Sequence, residues 1–160
     1  RGENVMLGYW NNQEETNKVL KNGWLHTGDI GVFENDYLKI TDRKKDIIVS
    51  AGGDNISPAK IENQLTNSPA IEQSMVFGEG KNYLVALIVP SKEFLDQKEK
   101  IKEIIDEINK NLTLVEKIKK FSLLKENFSI ENGLLTPTMK VKRNKVIEKY
   151  KNILESFYKK

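Results

Sequence analysis

Short apolar alternations and helical stripes divide the chain into small strand pairs and single helices. Val32-Phe33, the polar triplet Glu34-Asn35-Asp36 and Tyr37-Leu38-Lys39-Ile40 predict a β-hairpin, followed by a second turn at the charged cluster of residues 42–46. Ile47-Ile48-Val49 reads as a short buried strand that Gly52-Gly53 ends. Ser57 is placed to cap a helix with Pro58 at its first position, Ile61 and Leu65 on one face and Asn67-Ser68-Pro69 as its end. Strands over residues 71–78 and 83–89 follow, joined at Glu79-Gly80-Lys81-Asn82 and stopped by Pro90. Phe94, Leu95, Ile101, Ile104, Ile105, Ile108 and Leu112 recur at helical spacing and predict one long charged helix packed on that sheet. Val115 and Ile118 fall on its continuation or on a second short helix, residues 121–124 and 128–130 read as extended, and Val146, Ile147, Tyr150, Ile153, Leu154 and Phe157 stripe a closing helix.

At the start, Val5-Met6-Leu7 reads as a strand without sheet partners, and residues 14–20 as a short helix ended by Asn22-Gly23, so residues 1–22 are expected to continue something larger. The alternation predicts an α+β fold, a small antiparallel or mixed sheet covered by helices and preceded by a β-hairpin.

Composition narrows the class. A chain of 160 residues, 38% hydrophobic and 31% charged, has the make-up of a soluble globular protein with a core of its own. No apolar run approaches the roughly 20 residues needed to cross a bilayer, and no charged-then-apolar leader opens the chain. With no cysteine there is no disulfide framework or cysteine metal site, and a cytoplasmic setting is expected. The net charge of +3 is too small for a nucleic-acid binder as a whole. The positive charges gather towards the C-terminal half, which suits nucleotide or coenzyme phosphates or an anionic membrane surface, so peripheral membrane contact stays open.

Chemistry concentrates in two places. In Gly23-Trp24-Leu25-His26-Thr27-Gly28-Asp29 a carboxylate sits on a glycine turn, where its two acceptor oxygens suit vicinal hydroxyls, or where it simply bonds its own turn. Asp42-Arg43-Lys44-Lys45-Asp46 is a solvated turn on its own terms, and the diglycine is a turn or a point of close ligand approach. Near the end, Gly133 and Pro137 punctuate a loop that delivers Lys140 ahead of the last helix, within a basic run that by itself reads as a solvated face or a weak phosphate patch. His26, the single histidine, reads as a packed or turn residue; Trp10, Trp24 and Phe33 read as core; no His, Asp and Glu cluster has metal-ligand spacing.

The order of these pieces resembles the signature of the adenylate-forming acyl-coenzyme A synthetases, and within them the long-chain fatty acid ligases. The segments that carry it are Arg1-Gly2-Glu3-Asn4-Val5-Met6-Leu7-Gly8-Tyr9-Trp10, the Thr27-Gly28-Asp29 turn, Thr41-Asp42-Arg43-Lys44-Lys45-Asp46, and Gly52-Gly53-Asp54-Asn55-Ile56-Ser57-Pro58 with Ile61-Glu62. The last is Asn132-Gly133-Leu134-Leu135-Thr136-Pro137-Thr138-Met139-Lys140-Val141-Lys142-Arg143. Essentially the whole chain is covered.

The resemblance implies a two-step ligase. A long-chain fatty acid attacks ATP, with Mg²⁺ assisting, to give acyl-AMP, and coenzyme A then displaces AMP to give the thioester. By position Asp29 matches the residue on the ribose hydroxyls and Arg43 an arginine near the ribose and phosphates. Lys45 falls at the hinge, Gly52 and Gly53 at the wall of the coenzyme A channel, and Lys140 at the lysine that stabilises charge in adenylation. It further implies that residues 1–41 are the end of a large N-terminal domain with its junction and residues 42–160 a mobile C-terminal lid. The phosphate-binding loop, the adenine-stacking segment and the acyl tunnel are then expected in the N-terminal domain, so that this segment is inactive alone and Mg²⁺ arrives with ATP.

Two departures from the family pattern stand out. Five residues separate Asp46 from Gly52, one more than in many short-chain and medium-chain relatives, and Met139 stands where many relatives have glycine directly before the lysine. Two other readings remain: a sibling enzyme that loads an acyl group onto a carrier protein, and a non-catalytic basic module that binds an anionic partner.

Overall fold

Asn22 and Gly23 both have positive φ, 53° and 77°, the geometry of a two-residue turn whose twist matches that of paired strands. In this computed structural model, which describes residues 1–159, the pair joins β1 (Leu20–Lys21) to β2 (Trp24–Leu25). The preceding helix α1 (Gln13–Val19), capped by the Asn12 side chain on the Glu15 N–H, therefore stops because its next residues enter a ladder, and Asn22-Gly23 is a hairpin turn rather than a helix end. The strand expected at Val5-Met6-Leu7 does not form: its extended propensity finds no ladder partner among the described residues, and the segment is turn and coil.

The larger hairpin is as expected. β3 (Asp29–Glu34) and β4 (Tyr37–Arg43) pair antiparallel, from Glu34 opposite Tyr37 at the turn to Asp29 opposite Arg43 at the open end. Asn35 and Asp36, at φ 48° and 65°, form the turn.

The chain divides into two compact units, Arg1–Asp46 and Ile47–Lys160. The first contains no buried apolar residue among those described; what it buries is Thr16 and Asp42. Trp10, Trp24 and Phe33, expected in a core, are exposed, Trp10 at 92% and Phe33 at 78%. A short hairpin pair and one short helix bring too few apolar side chains together to exclude water from them.

The second unit has a true core. A short ladder, β5 (Ile48–Val49) with β6 (Asn55–Ile56), leads to helix α2 (Pro58–Thr66), whose Ser57 cap accepts from the Lys60 N–H at 3.2 Å and whose Ile61 and Leu65 are wholly buried. β7 (Ile71–Phe77) pairs antiparallel with β8 (Leu84–Pro90). A 3-10 turn (Lys92–Phe94) and helix α3 (Lys98–Lys110) then cross to β9 (Ile118–Leu123), which lies parallel to β8. β8 is buried at every position because both of its faces are covered, as its unbroken apolar run requires. Ala86 and Ile88 belong to a core shared with Ile61, Leu65, Ile101 and Ile105 of α2 and α3. Val85, Leu87 and Val89 belong to a second core with Phe128, Leu134, Leu135, Val146 and Leu154. The last two residues lie on α4 (Arg143–Lys149) and α5 (Lys151–Ser156).

Four expectations change here. The long helix is shorter, because residues 92–94 form a separate turn and Leu95, 45% exposed, stays out of the buried stripe. Ile118 opens a strand instead of extending a helix: the Asn109 amide bonds both backbone groups of Ile118, at 2.9 Å each, and holds them extended. Residues 128–130 are not a strand. The Gln73 side chain there takes a ladder's place, accepting from the Phe128 N–H at 2.6 Å and donating to its carbonyl at 3.0 Å. The closing helix is two helices, broken at Tyr150. The overall result is the α+β class with a small mixed sheet covered by helices.

Candidate functional site

The open end of the β3–β4 hairpin brings two of the candidate residues together. Asp29 and Arg43 are register partners, and Arg43 Nε lies 3.0 Å from an Asp29 carboxylate oxygen. The acid is set by its own turn: the Thr27 hydroxyl accepts from the Asp29 N–H at 3.1 Å, and Gly28, at φ 75°, directs its carbonyl to the Lys44 N–H at 2.8 Å. The pair is partly open to solvent, at 25% exposure for the acid, so the carboxylate retains acceptor capacity for a ligand hydroxyl. Beside it Asp42 is buried; one oxygen accepts from the Arg43 N–H at 2.7 Å and the other has no hydrogen-bond partner among the described residues.

Lys45 is exposed on the turn that follows, which the Asp46 N–H closes onto the Arg43 carbonyl at 2.9 Å. The division between the two compact units falls directly after it, between Asp46 and Ile47.

Gly52 and Gly53 lie in a closed loop tied by the Ser50 hydroxyl, which accepts from the N–H groups of Gly52 and Asp54 at 3.1 Å each and donates to the Asp54 carboxylate at 2.8 Å. The two glycines differ. A side chain at Gly52 would press on the Asp54 carboxylate, whereas Gly53, at φ 87°, needs glycine for its backbone and faces open space. The loop is stitched to the turn between β7 and β8 by Ala51 N–H to Lys81 carbonyl at 3.0 Å and Gly80 N–H to Val49 carbonyl at 2.8 Å. Between loop and turn lies a cavity of about 220 Å³ lined by Ser50, Gly52, Asp54, Lys81, Asn82 and Tyr83 among others.

Lys140 stands in a separate tight loop. Leu135 and Val141 form an isolated antiparallel bridge, Lys142 N–H donates to the Leu134 carbonyl at 2.8 Å, and Thr136 bonds Lys140 in both directions, N–H to carbonyl at 2.8 Å and hydroxyl from N–H at 3.0 Å. Leu134 and Leu135 are buried, which roots the stem in the core, while Lys140 at the tip is exposed. Its ammonium enters no hydrogen bond or ion pair among the described residues, so it is a free cation. Met139 has φ 63°, so the turn before Lys140 holds a non-glycine residue in the left-handed region, where glycine is the residue without strain.

Glu62 and Arg143 both stand in the motifs, and the sequence by itself assigns neither a role. Arg143 Nη1 contacts the two Glu62 oxygens at 2.7 and 3.0 Å, Arg143 Nη2 donates to the Val76 carbonyl, and Glu62 accepts from the Val76 N–H at 2.7 Å. The signal available in sequence was a long-range acid and base bounding two separate motifs, and their spacing says nothing of a contact.

The arrangement is that of a small α+β domain carrying an exposed lysine on a rooted loop, with an acid and an arginine paired on a hairpin that precedes it. The chain belongs to the AMP-binding enzyme C-terminal domain family, which matches residues 45–160. Over 100% of its length it is 38% identical to long-chain-fatty-acid–CoA ligase FadD15 of Mycobacterium tuberculosis, of which it spans 30%. It is 38% identical to human long-chain-fatty-acid–CoA ligase 1, of which it spans 26%. Among solved structures it is similar to the adenylation domain of the carboxylate reductase of Mycobacterium chelonae, with a TM-score of 0.91 at 30% identity over 99% of this chain and 27% of that one. The A domain of carboxylic acid reductase from Segniliparus rugosus, solved with AMP and a co-purified carboxylic acid, matches at a TM-score of 0.90 and 26% identity over 99% of this chain and 27% of that one.

No helix among the described residues is long and apolar enough to cross a membrane. Among the same residues no group of three or more His, Cys, Asp or Glu is placed to hold a metal ion.

Proposed function

We propose that this segment is the C-terminal lid of an ATP-dependent long-chain fatty acid–coenzyme A ligase. The observation that carries the proposal is the 38% identity to such ligases across the whole chain, together with the free Lys140 at the tip of a rooted loop. A carboxylate attacking the α-phosphate of ATP builds negative charge, and a mobile ammonium on a fixed loop supplies positive charge where it develops. Asp29 binds the ribose hydroxyls, and Arg43 holds that acid in place while facing the phosphates. Lys45 is the hinge, supported by the change of unit directly after it. The loop of Gly52 and Gly53 lines the channel for coenzyme A, with Gly53 the closer approach because it faces open space.

Residues 1–41 close off a large N-terminal domain and residues 42–160 form the lid. The exposed apolar side chains of the first unit support a partner of that kind, since Leu7, Trp10, Phe33 and Tyr37 are left uncovered. That domain holds ATP with its Mg²⁺ and the fatty acid. The setting is cytoplasmic, and peripheral membrane contact is compatible with the basic C-terminal half.

A second reading follows from the likeness to carboxylate reductase adenylation domains, one of them solved as an A-PCP didomain in complex with AMP. In this second reading the acyl group passes from this protein to a carrier protein instead of free coenzyme A. The test is to supply the natural full-length protein with ATP, a long-chain acid, and either coenzyme A or a carrier. Thioester formed on free coenzyme A supports the ligase, thioester on carrier alone supports the second reading, and the absence of acid-dependent ATP–pyrophosphate exchange overturns both.

A further inference from the structure

We infer that Glu62 and Arg143 are positioning residues that aim Lys140 for adenylation; this rests on the reading of Lys140 given above. Lys140 is exposed and unpaired, so its own side chain makes no contact that would orient its loop. The loop's direction is set by how its two ends are held, and Arg143 is the first residue of α4 directly beyond its exit. The Arg143 fork reaches two other elements at once: Glu62 on α2, at 2.7 and 3.0 Å, and the Val76 carbonyl on β7. Glu62 in turn accepts from the Val76 N–H at 2.7 Å, so acid, guanidinium and peptide close a ring that spans α2, β7 and the exit of the lysine loop.

Both side chains are only 18% exposed, which shields the pair from water and salt far more than the surface pairs elsewhere on the chain. A two-pronged arginine fork also fixes angle as well as distance, which a point charge does not. The other end of the loop is held by different means: the buried Leu134 and Leu135, and the Asn132 carboxamide oxygen, which accepts from the N–H groups of Ser129 and Leu134 at 3.0 and 3.2 Å. Loss of the ring therefore removes the anchor that ties the exit of the loop to α2 and β7, while the Leu135–Val141 bridge and the packed root remain. A shift of about 1 Å in a charged group during the reaction is enough to cost roughly 10²-fold in rate.

The experiment uses the natural full-length protein and compares Lys140→Ala, Arg143→Ala, Arg143→Lys, Glu62→Gln and the Lys140→Ala/Arg143→Ala double variant. Each is followed by ATP–pyrophosphate exchange, by thioester formation from preformed acyl-AMP, and by melting temperature. Arg143→Ala should lower kcat for exchange by about 10- to 100-fold with KM for ATP and the thioester step changed by less than about 3-fold. Arg143→Lys should restore part of the exchange rate. Because Arg143 acts through Lys140, the double variant should be no slower in exchange than Lys140→Ala alone.

Glu62→Gln keeps an acceptor for both partners and should show the same selectivity with a smaller loss, which covers the case in which Arg143→Ala does not fold. Equal losses in both half-reactions, a lowered melting temperature with no selective loss, or additive losses in the double variant would each overturn the inference. If Lys140→Ala itself leaves exchange unchanged, the underlying reading of the lysine fails instead, and the two failures are distinguished.

Discussion

Asp29 and Arg43 face each other across the open end of a hairpin, with Arg43 Nε 3.0 Å from the Asp29 carboxylate. A pair this exposed to solvent adds little to stability, on the order of 0–1 kcal/mol, so its use is orientation of the acid. In the natural full-length protein Asp29→Ala should raise KM for ATP in pyrophosphate exchange by about 10-fold or more, through loss of two acceptor oxygens. Arg43→Ala should do so less strongly, and the double variant should fall well short of the product of the two, as expected of side chains in direct contact. Independent effects would show that the pair does not act as one unit.

Two side-chain amides stand in for strand ladders, and removing either should cost more than a surface change. Asn109→Ala leaves the N–H and carbonyl of Ile118 without partners, and Gln73→Ala does the same at the buried Phe128. Each is expected to destabilise by about 1–3 kcal/mol, measured as a shift in urea midpoint at unchanged slope. Asn127→Ala, which loses one exposed bond to Glu72, should stay within about 0.5 kcal/mol.

Glu116 gives a pH dependence of defined sign. Burial raises its proton affinity, but Lys60 at 2.7 Å and the hydroxyl and N–H of Thr113 at 2.7 and 3.1 Å together outweigh it and hold the carboxyl below its ordinary value of 4.5. The folded state thus binds this proton less readily than the unfolded state. The contribution is full above about pH 4.5 and is lost as pH falls through the folded value. The stability difference between wild type and Glu116→Gln should accordingly be constant near neutrality and shrink progressively in acid below pH 4.5, read from urea midpoints across a pH series. A difference that does not change with pH would remove the ion pair from the account.

Met139 sits at φ 63° immediately before Lys140. Met139→Gly relieves a left-handed conformation worth roughly 1–2 kcal/mol but adds about 0.5–1 kcal/mol of backbone freedom to the unfolded chain, so stability should rise by no more than about 1.5 kcal/mol. Met139→Val, branched at the strained position, should destabilise by more than about 1 kcal/mol. Circular dichroism melts of the two variants check both directions.

Much of the second unit was legible because its signals are local. The Ser57 cap, Pro58 at the first helical position, the Ile61 and Leu65 stripe and the apolar run of β8 each depend on neighbours within a turn or a strand. The hairpin turn at Asn35-Asp36 is legible for the same reason. The motif residues at Asp29, Arg43, Gly52, Gly53 and Lys140 stand in segments whose resemblance points to the family, and the match over residues 45–160 shows it.

What the sequence determined by itself was therefore the element types with local codes, the α+β class and the family. Only the tertiary structure decided the rest. Ile118 is a strand residue because Asn109 and the buried edge of β8 claim its backbone, and its own helical spacing could not outweigh them. Trp10 and Phe33 are exposed because burial depends on what packs opposite, which no residue carries in itself. The Glu62–Arg143–Val76 ring joins elements far apart along the chain, and a contact of that kind exists only once the sheet has brought them together.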